Sequence, residues 1–489
     1  MRAAQPGEFD QKPLDARTAA GTIAVNDAAL REQATEALRR AVAFFRNEVA
    51  VEGTYLWEYS EDLSRREGEG VATRTQGWVQ PPGTPTVGMA FLEAHEATGE
   101  RAYLEAARET AHGLVRGQLQ TGGWYYYIDF DPNSKRPLAY REGDRGSARK
   151  STTFDDDTTQ SALRFMMRTD QALEFRDAKV HEAVVYALDA VFKAQYANGA
   201  WPQTYDQFPE QKPVLSASYP DAWPREWPDR EQYRIGYTLN DNVLVDLIQT
   251  LFLAEKILGS GPEASKGLAG RARRAAENAG RFVLIAQMPE PQPAWAQQYD
   301  FEMHPCWARK FEPPSLTGGE SQGVLEVLLL LFRETGDRRY LEPIPLALDY
   351  LRRCRLSDGR LARFYELQSN RPLYFTRDYH LTYDDSDVPT HYAFKVPDRT
   401  GAIERSYRKA LGYKDTEQAK AADREANGMP DLTAQVKSVI AAQDEEGRWL
   451  EEGPLRYHVP QNPQEKIIRS STFARNINLL SRYLSKDKR

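Results

Sequence analysis

The sequence predicts an all-α protein: an α/α toroid, an incomplete barrel of helical hairpins, with long loops and short strands lining a groove. Three observations predict it. Apolar residues recur at helical spacing along most of the chain, strand-like alternation is scarce and short, and a hairpin unit recurs with irregular insertions. Repeated hairpins that share a core stack as a solenoid or close into a ring, and the irregular spacing favours the ring.

The helical stretches follow in order. "DAALREQATEALRRAVAFFRNEV" (Asp27–Val49) opens on an Asp cap and carries Leu30, Ala34, Leu38, Val42 and Phe45 on one stripe. The same spacing predicts helices over Ala102–Leu119, Asp157–Arg168, Lys179–Tyr196, Asp241–Leu258, Leu268–Ala286, Glu320–Glu334, Pro345–Arg355 and Met429–Ala442. Residues 1–26 are polar and aperiodic and are expected to form a flexible leader, leaving 27–489 as the toroid domain.

The repeat is clearest in two copies. Thr98-Gly99, Tyr103-Leu104 and Gly122 match Thr335-Gly336, Tyr340-Leu341 and Gly359 at one constant spacing. Two further helices end alike, in "FKAQYANGAWPQTYD" (Phe192–Asp206) and "SVIAAQDEEGRWLEE" (Ser438–Glu452). The glycine supplies a left-handed turn, so the aromatic residues after it gather at one end of the bundle. The largest insertion, Gln207–Tyr237, is rich in proline and aromatics. Its prolines make it stiff, and it is either a wall of the groove or a plain surface excursion.

Composition removes several classes. A net charge of −7 argues against a nucleic-acid partner. The longest apolar run, Val324–Phe332, is far too short to cross a bilayer. The two cysteines, Cys306 and Cys354, form no zinc pattern, and their spacing does not assign a disulfide. The 25 Tyr, 19 Phe and 9 Trp suit either sugar stacking or ordinary cores. The N-terminus lacks an apolar signal core; one expectation is that it is the trimmed start of an exported protein, secreted or periplasmic, acting as a monomer.

Charged residues concentrate just before helices. In "TTFDDDTTQSALRF" (Thr152–Phe165), Asp155, Asp156 and Asp157 precede a helix. Capping the free N–H groups needs only one of them; three in a row repel, and a hard cation such as Ca²⁺ relieves the conflict. In "YTLNDNVLVDLI" (Tyr237–Ile248), Asn240 and Asp241 again precede an apolar helix, with the same two readings. "ARKFEPPSLTGGESQGV" (Ala308–Val324) sets Arg309 and Lys310 before a rigid turn, and "RLARFYELQSNRPLYFTRDYHLTYD" (Arg360–Asp384) places Arg363, Arg371 and Arg377 among aromatics. Clustered guanidinium groups suit a carboxylate-bearing ligand; solvated surface arginines are the plain alternative.

These segments, with "NGAWPQTYD", occur in one order across about half the chain and resemble polysaccharide lyase family 10, the pectate (pectic acid) lyases. The resemblance implies an incomplete α/α toroid and calcium-assisted β-elimination at C5 of a uronic acid in an acidic polysaccharide. It implies Asp155 and Asp241 as calcium ligands and Arg309 as the base. Arg363 and Arg377 fall on substrate-binding arginines, and Lys310, Asp156 and Asn240 complete the expected substrate set. The chain departs from the family pattern at Asp156, where Asn is usual, at Thr158, and at Lys310 beside the base. The Gly77–Gly88 segment resembles an added rim loop.

An arginine accepts a proton only where its cation is strongly disfavoured. Ca²⁺, Arg363, Arg377 and Lys310 are expected to act in that direction, giving an alkaline optimum. The alternative is that Arg309 only neutralises charge while hydroxide or a tyrosine takes the proton. Two rival functions remain at this level. One is a toroid glycoside hydrolase acting on uronides, with Asp157 and Asp241 or Glu312 and Glu320 as its acid pair. The other is a non-catalytic glycan-binding protein.

Overall fold

The computed structural model describes residues 16–142, 148–228, 233–413, 418 and 431–485. Most of the expected leader, residues 1–15, lies outside them. The described α-helices are α1 (Ala16–Phe44), α2 (Thr84–Thr98), α3 (Arg101–Gly117), α4 (Thr158–Ala172), α5 (Ala178–Lys193), α6 (Val243–Gly259), α7 (Lys266–Ile285), α8 (Glu320–Thr335), α9 (Ile344–Arg353), α10 (Thr400–Gly412), α11 (Thr433–Ala441) and α12 (Ser470–Leu484). Helix α1 starts at Ala16, ahead of the expected Asp27 cap.

The helices form the two layers of an α/α toroid. In the inner layer α12 packs on α2, α2 on α4, α4 on α6, α6 on α8 and α8 on α10. In the outer layer α11 packs on α1, α3 on α5 and α5 on α7. Helix α6 buries apolar side chains on most sides, with Val243, Leu244, Leu247, Ile248 and Leu251, whereas α10 buries only Thr400, Ile403 and Ala410. A repeated glutamine ties three of the outer helices to a neighbour. Gln118 donates to the carbonyls of Gly122 and Ala183 at 2.8 and 2.9 Å, and Gln195 to those of Gly199 and Ala275 at 3.0 and 2.9 Å. Gln443 makes the same pair to Gly447 and Ala37 at 3.1 and 2.8 Å, which joins the C-terminal α11 to the N-terminal α1.

The glycine turns are left-handed as the repeat predicts: φ is 104° at Gly122, 98° at Gly199, 81° at Gly359 and 91° at Gly447. Each following tryptophan drives its indole N–H into the preceding outer helix, Trp124 to Leu114 O at 2.9 Å, Trp201 to Val191 O at 2.8 Å and Trp449 to Val439 O at 2.9 Å. The turns therefore all lie at one end, the end where the inner helices begin.

Periodicity did not reveal α2, α10 or α12. Helix α2 starts inside the segment expected to be a rim loop. Pro85 sits in its first turn, where a missing N–H costs nothing, and Gly88 packs under Phe165 of α4, so closely that a Cβ would lie 2.4 Å from that ring. A helix buried on most of its faces has no polar stripe to mark its period.

Strands are short and lie at the same end. A four-stranded antiparallel sheet joins Ser315–Thr317, Phe364–Glu366, Pro372–Phe375 and Leu381–Thr382. A five-stranded sheet runs in the order Leu450–Glu452, Lys466–Arg469, Glu58–Ser60, Arg66–Gly68, Gly70–Val71. Cys306 and Cys354 are both free thiols.

Candidate active site

Two turns at the starts of α4 and α6 carry the acidic residues, and they share one backbone shape. Asp156 and Asp157 have φ of 49° and 58°; Asp241 and Asn242 have φ of 47° and 59°. Two successive left-handed residues are strained, and Asp and Asn tolerate that region best among residues with a Cβ. Neither Asp157 nor Asn242 caps its helix through its side chain, so helix capping does not explain these residues.

The two turns touch and bring Asp155, Asp156 and Asp241 together, with a carboxylate oxygen from each within 4.8 Å of the others. Asp155 accepts from Tyr126 Oη and Gln203 Nε2, both at 2.7 Å. Asp156 accepts from Gln80 Nε2 at 2.8 Å. Burial, then the charges of Asp155 and Glu69, push the Asp156 carboxyl up to about 7. Burial, then Asp155, Asp156, Glu320 and Glu312, push Asp241 well above the usual carboxylate range. The third acid of the triplet points elsewhere: Asp157 pairs with Arg164.

Three hard oxygen donors crowded into one place suit a divalent cation such as Ca²⁺, which replaces repulsion with ligation. Asp155, Asp156 and Asp241 are the residues that would hold it.

Arg309 lies beside this cluster, close enough that its charge opposes the rise at Asp156 and that Asp241 favours its own cation. Its guanidinium is held by Glu312, Nε to Oε2 at 2.8 Å and Nη2 to Oε1 at 2.6 Å. Glu312 is fully buried and also accepts from Gln297 at 2.9 Å and Tyr392 Oη at 2.9 Å. Gln297 in turn donates to Asn240 Oδ1 at 2.6 Å. Burial alone would lower the Arg309 pKa, but the hydrogen bonds and charge of Glu312 outweigh it and raise it. The expected lowering by neighbouring cations is thus not what this arrangement produces; the dominant neighbour is an anion.

The loop that carries Arg309 is clamped by the Gln207–Tyr237 insertion. Trp223 donates to Pro314 O at 2.8 Å, Trp227 to Ala308 O at 2.9 Å, and Trp307 to Pro224 O at 2.6 Å. The insertion is a buttress for Arg309.

The sequence profile of the pectic acid lyase family matches residues 118–361. The chain belongs to the pectic acid lyase family. It is a polysaccharide lyase, and the match covers both acidic turns, Arg309 and Lys310 but stops before Arg363. A search of curated protein sequences found no significant match. Among solved structures, a family 10 polysaccharide lyase from Cellvibrio cellulosa is similar at 19% identity and a TM-score of 0.47, over 67% of this chain and 98% of that one. A mutant of a family 10 lyase from the same organism, in complex with trigalacturonic acid, is similar at 20% identity and a TM-score of 0.46, over 67% and 99%. The cellobiose 2-epimerase from Spirochaeta thermophila is similar at 12% identity and a TM-score of 0.44, over 94% and 99%.

The lyase brings most of its sequence-predicted residues together. Arg363 lies over the Tyr392 ring at 4.7 Å and meets Glu320 Oε1 at 3.3 Å; its charge environment includes Asp241 and Glu312. Arg377 does not join them. It sits on an exposed turn and pairs with Asp387 at 3.2 Å. Lys310 is exposed and lies over the Tyr379 ring at 3.8 Å. Asn240 is buried and takes part through Gln297. Sequence reasoning missed Gln80, Tyr126, Gln203, Gln297 and Tyr392, and treated Glu312 only as half of a hydrolase pair. For Gln203 and Gln297 a signal existed: each follows a Trp two residues back, in "WPQ" and "WAQ", and each donates to the first residue of an acidic turn.

Proposed function

We propose that this lyase cleaves an acidic, uronic-acid polysaccharide, pectate (polygalacturonate) foremost, by β-elimination, with Ca²⁺ held by Asp155, Asp156 and Asp241 and with Arg309 as the base. The observation that carries this is the meeting of three carboxylates from two strained turns with a guanidinium at their side. A bound Ca²⁺ would supply Lewis-acid stabilisation of charge on the substrate carboxylate. Arg309 takes the proton from C5, the bond from C4 to the departing oxygen breaks, a C4–C5 double bond forms, and the departing oxygen is protonated. Arg363 holds a neighbouring carboxylate, and Arg377 and Lys310 meet the chain farther out. The lyase acts as a monomer, outside the cytoplasm or in the periplasm. Among the described residues no helix is long and apolar enough to cross a membrane.

For Arg309 to accept a proton, Glu312 must release it. That ion pair favours a second reading of this one step, in which Arg309 stays protonated and neutralises growing charge while hydroxide takes the proton. The hydrolase alternative finds less support. Glu312 is saturated with donors, and Asp157 is paired with Arg164.

The test is a panel of uronans incubated with Ca²⁺ or with chelator, read by the absorbance of the unsaturated product. Polygalacturonate is expected to give the signal with Ca²⁺ only. Silence across the whole panel would sink the proposal.

A further inference from the structure

A cleft of about 730 Å³ adjoins the acidic cluster through Tyr126, which lines it and bonds Asp155. Its walls come from the chain before residue 80 and from the Tyr125–Arg136 segment. The whole of the first group lies outside the region that matches the family profile. The cleft and the acidic cluster are joined by side chains. Tyr126 lines the cleft and donates to Asp155, and Trp78 lines it while its indole N–H holds Gln80, which donates to Asp156. Glu69 lines it on a hairpin tip, near enough to act on Asp156.

The cleft wall is aromatic. Trp78 and Tyr127 lie 5.5 Å apart between ring centroids, and Tyr125 and Tyr127 lie 5.3 Å apart. Tyr125 and Tyr127 are only partly buried, so part of each ring can meet a sugar. Both tyrosines are held by their neighbours: Arg149 lies over Tyr125 and bonds its hydroxyl, and Val79 and Gln80 donate to the Tyr126 carbonyl between them. The lining also carries two exposed cations, Lys135 and Arg136, and two acids, Asp131 and Asp129, the latter engaged by Thr75, Gln76 and Ser134.

We infer that this cleft is an extension of the substrate groove that binds further sugar units of the same acidic polysaccharide, their rings stacked on Tyr125 and Tyr127 and a distal carboxylate at Lys135 and Arg136. The inference rests on the uronan reading above and adds a chain-length preference to it. Partly exposed aromatic rings fit the apolar faces of pyranose rings, and cations in the same lining fit a charge carried by another unit. Glu69, next to the cluster, disfavours a free carboxylate at that point, so the cleft selects at its far end.

The experiment compares trimeric, hexameric and polymeric oligouronates at saturating Ca²⁺, using the wild type and the variants Tyr125→Ala, Tyr127→Ala and Arg136→Ala. Thermal melting checks that each variant folds; Arg136 is exposed and its removal leaves the fold intact. Wild-type kcat/KM should climb with chain length. Each variant should lose roughly five- to tenfold on hexamer and polymer while the trimer is cleaved as before. Equal losses on all three lengths, or none on any, would overturn the extension and leave the lyase activity standing. No elimination by the wild type on any length would instead remove the uronan reading on which the extension rests.

Discussion

Arg309 and Glu312 face each other as a two-pronged ion pair, at 2.8 and 2.6 Å, with the carboxylate fully buried and the guanidinium at the edge of the acidic cluster. Glu312 raises the Arg309 pKa and so delays the neutral form to higher pH. Glu312→Gln keeps the shape and removes the charge. If Arg309 is the base, the alkaline rise of kcat/KM should move down by roughly one to two pH units in this variant. A rise that stays in place would assign Arg309 to charge neutralisation. The profile is measured at saturating Ca²⁺, with a melting curve at each pH.

Asp241 illustrates a site built against stability. Its carboxyl is pushed well above the usual range by burial and by Asp155 and Asp156, so above that pKa the cation-free turn pair holds repelling charges. Asp241→Asn should therefore raise the melting temperature in chelator by roughly 1–3 °C. The same change should abolish the stabilisation by added Ca²⁺ and reduce kcat/KM by roughly a hundredfold or more. A variant that melts earlier in chelator and still responds to Ca²⁺ would remove Asp241 from the ligand set.

Arg363 and Arg377 look alike in sequence and differ in place. The Arg363 side chain is 18% exposed and faces Glu320, Tyr392 and the cluster; that of Arg377 is 69% exposed on a turn. Arg363→Ala should cost roughly a hundredfold in kcat/KM, because a half-enclosed guanidinium fork is lost. Arg377→Ala should stay within about threefold, as solvent screens a charge so exposed. Steady-state kinetics on polygalacturonate decides, and similar losses for both would put Arg377 beside Arg363 at the reacting sugar rather than farther out along the chain.

What could be read in the sequence was local. The glycine turns, the two acidic turns and the Thr-Gly corners depend on residue types that few others can replace at their backbone angles, so they stand out. Gln80 and Tyr126 also follow a Trp two residues back, at Trp78 and Trp124, whereas Tyr392 reaches the site from a segment with no such mark beside it. Helix α2 was hidden because its buried faces carry no polar stripe, and its Pro85 and Gly88 imitate a loop. The arginines of the Arg360–Asp384 loop carry no directional signal, which is why Arg363 and Arg377 were indistinguishable before their strands and turns were known.

The acidic turns also reach away from the groove. Asp246, in the first turn of α6, is pushed up to about 7 by burial and then by the charge of Asp157, with Arg164 opposing. Its unperturbed value is 3.8. Between these values the folded chain binds a proton that the unfolded chain has released, so stability falls as pH climbs from about 4 to 7 and the loss is complete above 7. Asp246→Asn is uncharged throughout. It should be more stable than the wild type at pH 8 by roughly 1–3 kcal/mol and level with it near pH 4. Calorimetry in chelator at both pH values measures the difference. An equal gap at the two would mean that the Asp246 carboxyl does not titrate in this window, and that the Arg164 charge dominates its surroundings instead.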